Sequence, residues 1–135
     1  MTKPPKKLQI SVLSWNVNGL GDKLKRGLVL QYIHRHRPDI VLLQETHMLG
    51  NTCKALDRKG YKMVAHTSHT TGSRGVGILL RKSFPFLIQE IWQEGDGRLV
   101  GLTGRWEEET INIISAYTPP PAYTLRPYQI WANCC

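Results

Sequence analysis

Apolar residues along the chain follow patterns that predict one helix among several strands. Leu8 to Trp15 carries apolar residues on both faces of an extended segment, which predicts a strand inside a sheet. Ile40 to Gln44 is a short aliphatic run typical of a strand buried on both faces. Lys23 to Arg37, between these two strands, repeats apolar residues at helical spacing, and Pro38 ends the helix.

The predicted helix has an apolar face and a charged face. We expect the apolar face to cover the sheet. That face consists of Leu24, Leu28, Val29, Tyr32 and Ile33. Asn16 to Gly21 ends the first strand with turn residues, and Asp22 can cap the helix. A strand, a helix and a strand in succession predict a right-handed crossover between parallel strands.

The second half of the chain is predicted to be mostly strand. The predicted strands are Tyr61–His66, Gly75–Arg81, Phe86–Gln93, Arg98–Trp106 and Thr110–Tyr117. Polar links at Glu94–Gly97 and Glu107–Glu109 suit antiparallel hairpins. Proline fills positions 119–121. We therefore expect an α/β domain over residues 8–119, with a basic leader at 1–7 and an irregular tail at 120–135.

Length and composition narrow the class of protein. The 135 residues, 41% hydrophobic and 21% charged, suit one globular domain or part of one and exclude a disordered, collagen-like or coiled-coil chain. The longest aliphatic run is too short for a membrane span, and the N-terminus lacks the pattern of a secretory signal. We expect an intracellular protein. Cys53, Cys134 and Cys135 fit neither a disulfide framework nor a zinc site.

The charge balance points to a class of partner. Eighteen Lys and Arg against ten Asp and Glu give a net charge of +8, which raises the local concentration of polyanions and favours a nucleic acid. An ordinary solvated surface explains the charge equally well.

Glu45 is the first candidate for chemistry, because it is a carboxylate at the end of an aliphatic strand. Mg²⁺ compensates such a charge well, since it takes one or two carboxylates, several waters and phosphate oxygens. A parallel crossover brings Asn16 and Asn18 beside Glu45, and Asn16 with Glu45 would form a pocket for metal and phosphate. A solvated Glu45 remains the alternative, and for Asn18 the favoured interpretation is a turn.

Three further groups are weaker candidates. Tyr117, at a strand end, could donate to a phosphate, but packing is the commoner role of such a tyrosine. Arg74 could contact a phosphate from its loop, and a solvated turn residue is an equal alternative. His47, His66 and His69 lack metal-ligand spacing, and we expect surface or loop histidines.

Four segments together resemble the endonuclease/exonuclease/phosphatase family. They are Ser14–Gly19, Leu43–His47, Arg74–Leu80 and Ser115–Pro119, which read SWNVNG, LQETH, RGVGILL and SAYTP. Within the family the sequence is most similar to the endonuclease domains of LINE-type (non-LTR) retrotransposons, themselves similar to apurinic/apyrimidinic endonucleases. The resemblance extends from Leu8 to Pro119 in order and spacing.

The resemblance implies a four-layer α/β/β/α sandwich, DNase I-like and incomplete at the C-terminus. It implies that Glu45 binds Mg²⁺, with Mn²⁺ as a possible substitute, and that Asn16 lies beside metal and phosphate. Tyr117 would hydrogen-bond the scissile phosphate. The implied activity is Mg²⁺-dependent nicking of DNA, and a DNA substrate implies a nuclear location.

Members of the family continue beyond this point with an Asp-x-Asn motif, a further aspartate and a Ser-Asp-His motif. Residues 120–135 contain none of these. We therefore expect the N-terminal part of the fold, a weak or inactive nuclease, and a surface able to pair with the missing half. Two alternatives stay open: a phosphodiesterase or phosphatase of the same family with another substrate, and a non-catalytic nucleic-acid-binding remnant.

Overall fold

The computed structural model describes residues 9–48, 54–69, 72, 74–94 and 97–118. In these ranges the chain forms one α-helix and seven β-strands. Their order is β1 (Val12–Asn16), α1 (Lys23–His36), β2 (Ile40–Gln44), β3 (Tyr61–Thr67), β4 (Val76–Arg81), β5 (Phe86–Glu94), β6 (Leu99–Trp106) and β7 (Glu109–Ala116). The expected leader at 1–7 and tail at 120–135 lie outside the described residues.

The strands form two sheets. The first has the order β1-β2-β4-β3 and the second the order β5-β6-β7. β1 pairs with β2 in parallel, from Val12 opposite Ile40 to Asn16 opposite Gln44, as the crossover predicted. β5, β6 and β7 pair antiparallel, as the two short polar links predicted.

β1 begins at Val12 and is shorter than predicted. The residue before it, Ser11, forms hydrogen bonds with Asp39, the residue before β2. Its backbone N–H and its hydroxyl both donate to the buried carboxylate of Asp39, at 2.9 and 3.1 Å. Its carbonyl accepts from the N–H groups of Asp39 and Ile40. These contacts fasten the start of β1 to the start of β2.

β2 is one of the two inner strands of the first sheet and is buried on both faces, as predicted. Val41 and Leu43 pack with the buried residues of α1, whereas Ile40 and Leu42 belong to the core between the two sheets. The described layers are therefore helix, sheet and sheet, and no described helix covers the outer face of the second sheet. Nor does any helix in the described ranges have the length and hydrophobicity to cross a membrane.

The predicted face of α1 is wrong in part. The helix buries Val29, Leu30 and Ile33, but Leu24 is 72% and Leu28 59% exposed. At 3.6 residues per turn, Leu24 and Ile33 lie on opposite sides of a helix, so one straight helix cannot bury both against one sheet. Tyr32, also predicted to be buried, is 44% exposed and contacts the ring of Trp15 edge-on.

Candidate functional site

The loops that follow β1 and β2 lie side by side at one end of the sandwich. The parallel pairing continues past both strands, since the N–H of Val17 donates to the carbonyl of Gln44 at 3.0 Å and that of Gly19 to the carbonyl of Glu45 at 2.6 Å. Asn16 and Glu45 therefore occupy the same rim of the first sheet.

The backbone around Glu45 leaves the extended conformation. Glu45 and His47 both have φ of 52°, in the left-handed region that costs a non-glycine residue about 1–2 kcal/mol. Hydrogen bonds to the loop before β4 hold this conformation: the N–H of Thr46 donates to Gly75 at 3.0 Å and that of His47 to Arg74 at 2.7 Å. Strained backbone of this kind concentrates at functional sites.

The half-buried side chain of Glu45 lies near the hydroxyl of Tyr117, which follows the last strand of the second sheet. Burial, the hydrogen bond and the charge of Glu45 raise the pKa of Tyr117 above its ordinary value. The charges of Arg74 and Arg98 act in the opposite direction. Tyr117 is thus a neutral donor between one carboxylate and two guanidinium groups.

Asn16 and Asn18 form a turn at the rim. The Oδ1 atom of Asn16 accepts from the N–H of Asn18 at 3.1 Å, and Asn18 and Gly19 have φ of 49° and 90°. Asn18 therefore lies in a turn, which was the favoured interpretation of this residue. Its carbonyl accepts a hydrogen bond from the ammonium group of Lys25 at 2.8 Å. The structure places Tyr117 near Glu45 and brings Asn16 to the same rim through the backbone.

Sequence reasoning missed three residues at this end. Arg98 precedes β6, and its carbonyl accepts from the N–H of Tyr117 at 2.9 Å. Gln44 and Ser115 form a polar floor that joins the two sheets: Gln44 Nε2 lies 3.4 Å from Ser115 Oγ, which donates to the carbonyl of Leu43 at 3.1 Å. Ser115 could have been noticed in the sequence, because it is a serine at an inward position of a strand face that is otherwise apolar.

The expectation of surface or loop histidines is wrong for His66. It lies on β3, its Nε2 atom is 3.0 Å from the hydroxyl of buried Thr46, and burial lowers its pKa. His47 packs against Gly19, where an added Cβ would lie 2.9 Å from His47 Nδ1. The strand pattern around His66 alternates irregularly because β3 shifts register between Met63 and Ala65.

The donor set at the rim suits a hard cation rather than zinc. The described residues contain no group of three or more His, Cys, Asp and Glu side chains that could hold a metal ion. One carboxylate and one amide oxygen are oxygen donors of the kind Mg²⁺ takes while it keeps several of its waters. Neighbouring cations and a phenol hydroxyl suit an anion with several oxygens, such as a phosphate.

The sequence and the fold have relatives. A DNA-(apurinic or apyrimidinic site) endonuclease of Dictyostelium discoideum is 30% identical over 115 residues, which cover 82% of this chain and 30% of that protein. The structure of an AP endonuclease from Leishmania major matches with a TM-score of 0.63 at 19% identity, over 80% of this chain and 40% of that one.

The endonuclease domain of TRAS1, a telomere-specific non-LTR retrotransposon, matches with a TM-score of 0.56 at 17% identity, over 82% of this chain and 46% of that one. These likenesses confirm the expected fold class. The chain spans less than half the length of each of these three proteins. A family model also matches residues 13–133, which is nearly all of the chain. The chain belongs to the endonuclease/exonuclease/phosphatase family.

Proposed function

We propose that this chain carries the metal- and phosphate-binding part of a Mg²⁺-dependent DNA endonuclease. The observation that carries the proposal is the position of Asn16 and Glu45 at one rim of the first sheet, where the phenol of Tyr117 and the charges of Arg74 and Arg98 also act. A carboxylate, a phenol and two guanidinium groups around one point suit a phosphodiester better than a neutral substrate.

Glu45 and Asn16 would hold Mg²⁺, with Mn²⁺ as a substitute. Both supply oxygen atoms from neighbouring strand ends, and the amide of Asn16 can also donate to a phosphate oxygen. When bound, Mg²⁺ neutralises charge on the phosphate and on the leaving oxygen. The register of β1 against β2 supports this pairing of residues.

Tyr117 and Arg74 would bind and orient the phosphate. The raised pKa of Tyr117 keeps its one proton on the phenol oxygen at neutral pH, so the hydroxyl can donate to a phosphate oxygen in place of Glu45. Arg74 and Arg98 add positive charge where the substrate carries negative charge. Asn18, whose side chain is exposed at the same rim, would supply a further phosphate contact.

DNA is the proposed substrate, with a nuclear location. The net charge of +8 and the endonuclease activity named for the three relatives support a polyanionic DNA substrate. The described residues around Glu45 contain no second carboxylate or histidine hydrogen-bonded to it that could act as general base. The absence of one positioned catalytic group costs about 10²- to 10⁴-fold, so we expect cleavage by this chain to be slow.

Metal binding tests the proposal directly. Mn²⁺, titrated into the protein and followed by electron paramagnetic resonance, is expected to bind wild-type chain and to bind the Glu45→Gln variant about tenfold or more weakly. Glu90→Gln, on the exposed side of β5, is the matched control and should bind as the wild type does. Equal Mn²⁺ affinity in wild type and Glu45→Gln would contradict the assignment of Glu45.

Nicking of supercoiled plasmid completes the test. We expect a low Mg²⁺-dependent rate that disappears in Glu45→Gln and Tyr117→Phe. Cleavage of a phosphate monoester but not of DNA would favour a phosphatase of the same family. Salt-dependent DNA binding that ignores both Mg²⁺ and Glu45→Gln would favour a non-catalytic nucleic-acid-binding protein.

A further inference from the structure

A cleft lies at the end of the sandwich opposite Glu45. It encloses about 130 Å³, the room of roughly four water molecules. It is formed where α1 ends, β3 begins and β4 ends, and its charged and hydroxyl-bearing lining residues are His34, Arg37, Lys59, Arg81, Lys82 and Ser83. Since β2 runs between the two ends of the first sheet, roughly 13 Å or more separates this cleft from the candidate metal site.

The lining of the cleft is strongly basic. Arg81 is neutralised, because it forms an ion pair with the fully buried carboxylate of Asp39. Among the residues that the structure describes, no carboxylate pairs with Arg37, Lys59 or Lys82, and all three are exposed. The cleft therefore has an excess of positive charge even when His34 is neutral.

Hydrogen bonds between the three segments hold the cleft in shape. The N–H of Lys82 donates to the carbonyl of Gly60 at 2.8 Å, and His34 Nδ1 lies 3.2 Å from the carbonyl of Lys59. The N–H of Arg37 donates to Ile33 at 2.8 Å and caps the end of α1. The cationic side chains thus extend from a backbone that is already fixed, which reduces the entropy lost when a ligand binds.

The guanidinium group of Arg81 is held in place beside the cleft, and the cleft is open at Gly60. Arg81 is held by Asp39 on one side and donates to the hydroxyl of Ser83 on the other. Asp39 is itself held by Ser11, whose N–H and hydroxyl donate to it at 2.9 and 3.1 Å. At Gly60, no atom lies within 4 Å of the position of a Cβ, so the cleft is open there.

We propose that this cleft is a phosphate-binding site, separate from the candidate metal site. Several cations from three segments around one concave space match the charge and the several acceptor oxygens of a phosphate group better than a single carboxylate. The phosphate comes from a nucleotide or from the backbone of a polynucleotide. A polynucleotide bound in this cleft would contact the protein at a second position, separate from the position of a substrate at Glu45.

Nuclear magnetic resonance of the ¹⁵N-labelled chain tests the site without Mg²⁺. Inorganic phosphate, a deoxynucleoside monophosphate and a short oligodeoxynucleotide are titrated in turn. We expect saturable shifts of the Gly60, Lys82 and Ser83 amide signals. The double variant Lys59→Gln/Lys82→Gln should weaken binding about tenfold or more, since it removes two charge-assisted contacts.

The matched control is Lys23→Gln/Arg105→Gln, which removes the same charge from exposed positions outside the lining of the cleft. It should leave the affinity of the cleft within a factor of about two, as expected for weakly coupled surface charges. Equal losses in the two double variants would overturn the proposal, because net charge alone would then explain binding. Failure of all three probes to give saturable shifts would overturn it too.

The probes also identify the source of the phosphate. If the oligodeoxynucleotide binds more tightly than the other two probes, the site is assigned to a polynucleotide. The number of ions released on binding, taken from the salt dependence of the affinity, should then be lower by about two in Lys59→Gln/Lys82→Gln. Binding of the mononucleotide and inorganic phosphate alone assigns it to a small phosphate ligand. The Glu45→Gln variant should bind all probes at the cleft unchanged, so this site and the proposed metal site fail or succeed independently.

Discussion

Tyr117 and Glu45 follow strands of different sheets, β7 and β2, and the carboxylate acts on the phenol from the neighbouring strand end. Each residue is also fixed through its backbone: Tyr117 by Arg98, and the residue after Glu45 by Gly75. The relative position of the two side chains is therefore determined by both sheets. A site of this kind requires both sheets to pack correctly.

Glu45→Gln should lower the pKa of Tyr117, although burial of the phenol, the largest cause of the raised pKa, remains. The substitution removes the negative charge that favours the neutral phenol and leaves the opposing charges of Arg74 and Arg98 in place. The titration of Tyr117 can be followed by nuclear magnetic resonance of its ring carbons, with Tyr117→Phe to assign the signal. An unchanged pKa would show that the carboxylate does not act on the phenol.

The same pKa has a consequence for stability at high pH. Because folding raises the pKa of Tyr117, its contribution to the free energy of unfolding is present below about pH 10 and is lost as the pH rises through the folded-state value. Urea unfolding of wild type and Tyr117→Phe should therefore differ less above pH 10 than at pH 8.

Gly75→Ala should destabilise the protein by about 2–4 kcal/mol. Gly75 has φ of 105°, and an added Cβ would lie 2.3 Å from the hydroxyl of Thr46. Thr46 cannot move aside easily, because it is fully buried and in contact with His66. Urea unfolding monitored by circular dichroism measures the change.

Gly27→Ala is the matched control for that substitution. Gly27 lies within α1, and nothing lies within 4 Å of its Cβ position. Alanine is the better helix former, so this change should stabilise the protein by about 0.5–1 kcal/mol. Destabilisation by both substitutions would mean that the close approach to Thr46 is not the cause.

Acid should weaken the fold through His66. Burial lowers the pKa of this histidine below its ordinary value of 6.5, so the neutral ring contributes stability above that pH, and the contribution is lost as the pH falls through the folded-state value. The free energy of unfolding of wild type should decrease between pH 7 and pH 5. His66→Gln should flatten that dependence, whereas His36→Gln, on the exposed end of α1, should retain it.

Substitutions in α1 should separate its buried face from its exposed one. Leu28→Ala is expected to change the free energy of unfolding by about 0.5 kcal/mol or less, because Leu28 is 59% exposed. Ile33→Ala should cost about 2–5 kcal/mol, because Ile33 is fully buried. Similar losses at both positions would show that the exposed face is covered in solution.

Much of the fold could be predicted because its signals are local. β2 was recognisable because a short run of aliphatic residues is typical of a strand buried on both faces. Asp22 caps α1, as its position just before the helix indicated. The face of α1 could not be predicted as well. Leu24, Leu28 and Tyr32 are apolar and evenly spaced, and only the direction in which the helix crosses the sheet decides that Leu30 is buried instead.

The site was predictable to the extent that it depends on strand ends. Asn16 ends one recognisable strand and Glu45 follows another, and parallel pairing then places them at one rim. Arg98 and Ser115 could not be found in this way, because their position depends on how the second sheet packs on the first. His66 required knowledge of the register shift in β3, which no local pattern reveals.

The loops around Glu45 are joined to one another through main-chain groups. Thr46 binds Gly75, Gly75 binds Gly97 at 3.0 Å, and Arg98 binds Tyr117. Because these links use main-chain atoms, they depend on the number of residues in each loop more than on residue type, except at Gly75 and Gly97, where positive φ and a close approach require glycine. A single insertion or deletion beside Gly97 would therefore shift the loop that carries Glu45 and displace its carboxylate. Natural variants of these loops should differ by substitution and seldom by loop length.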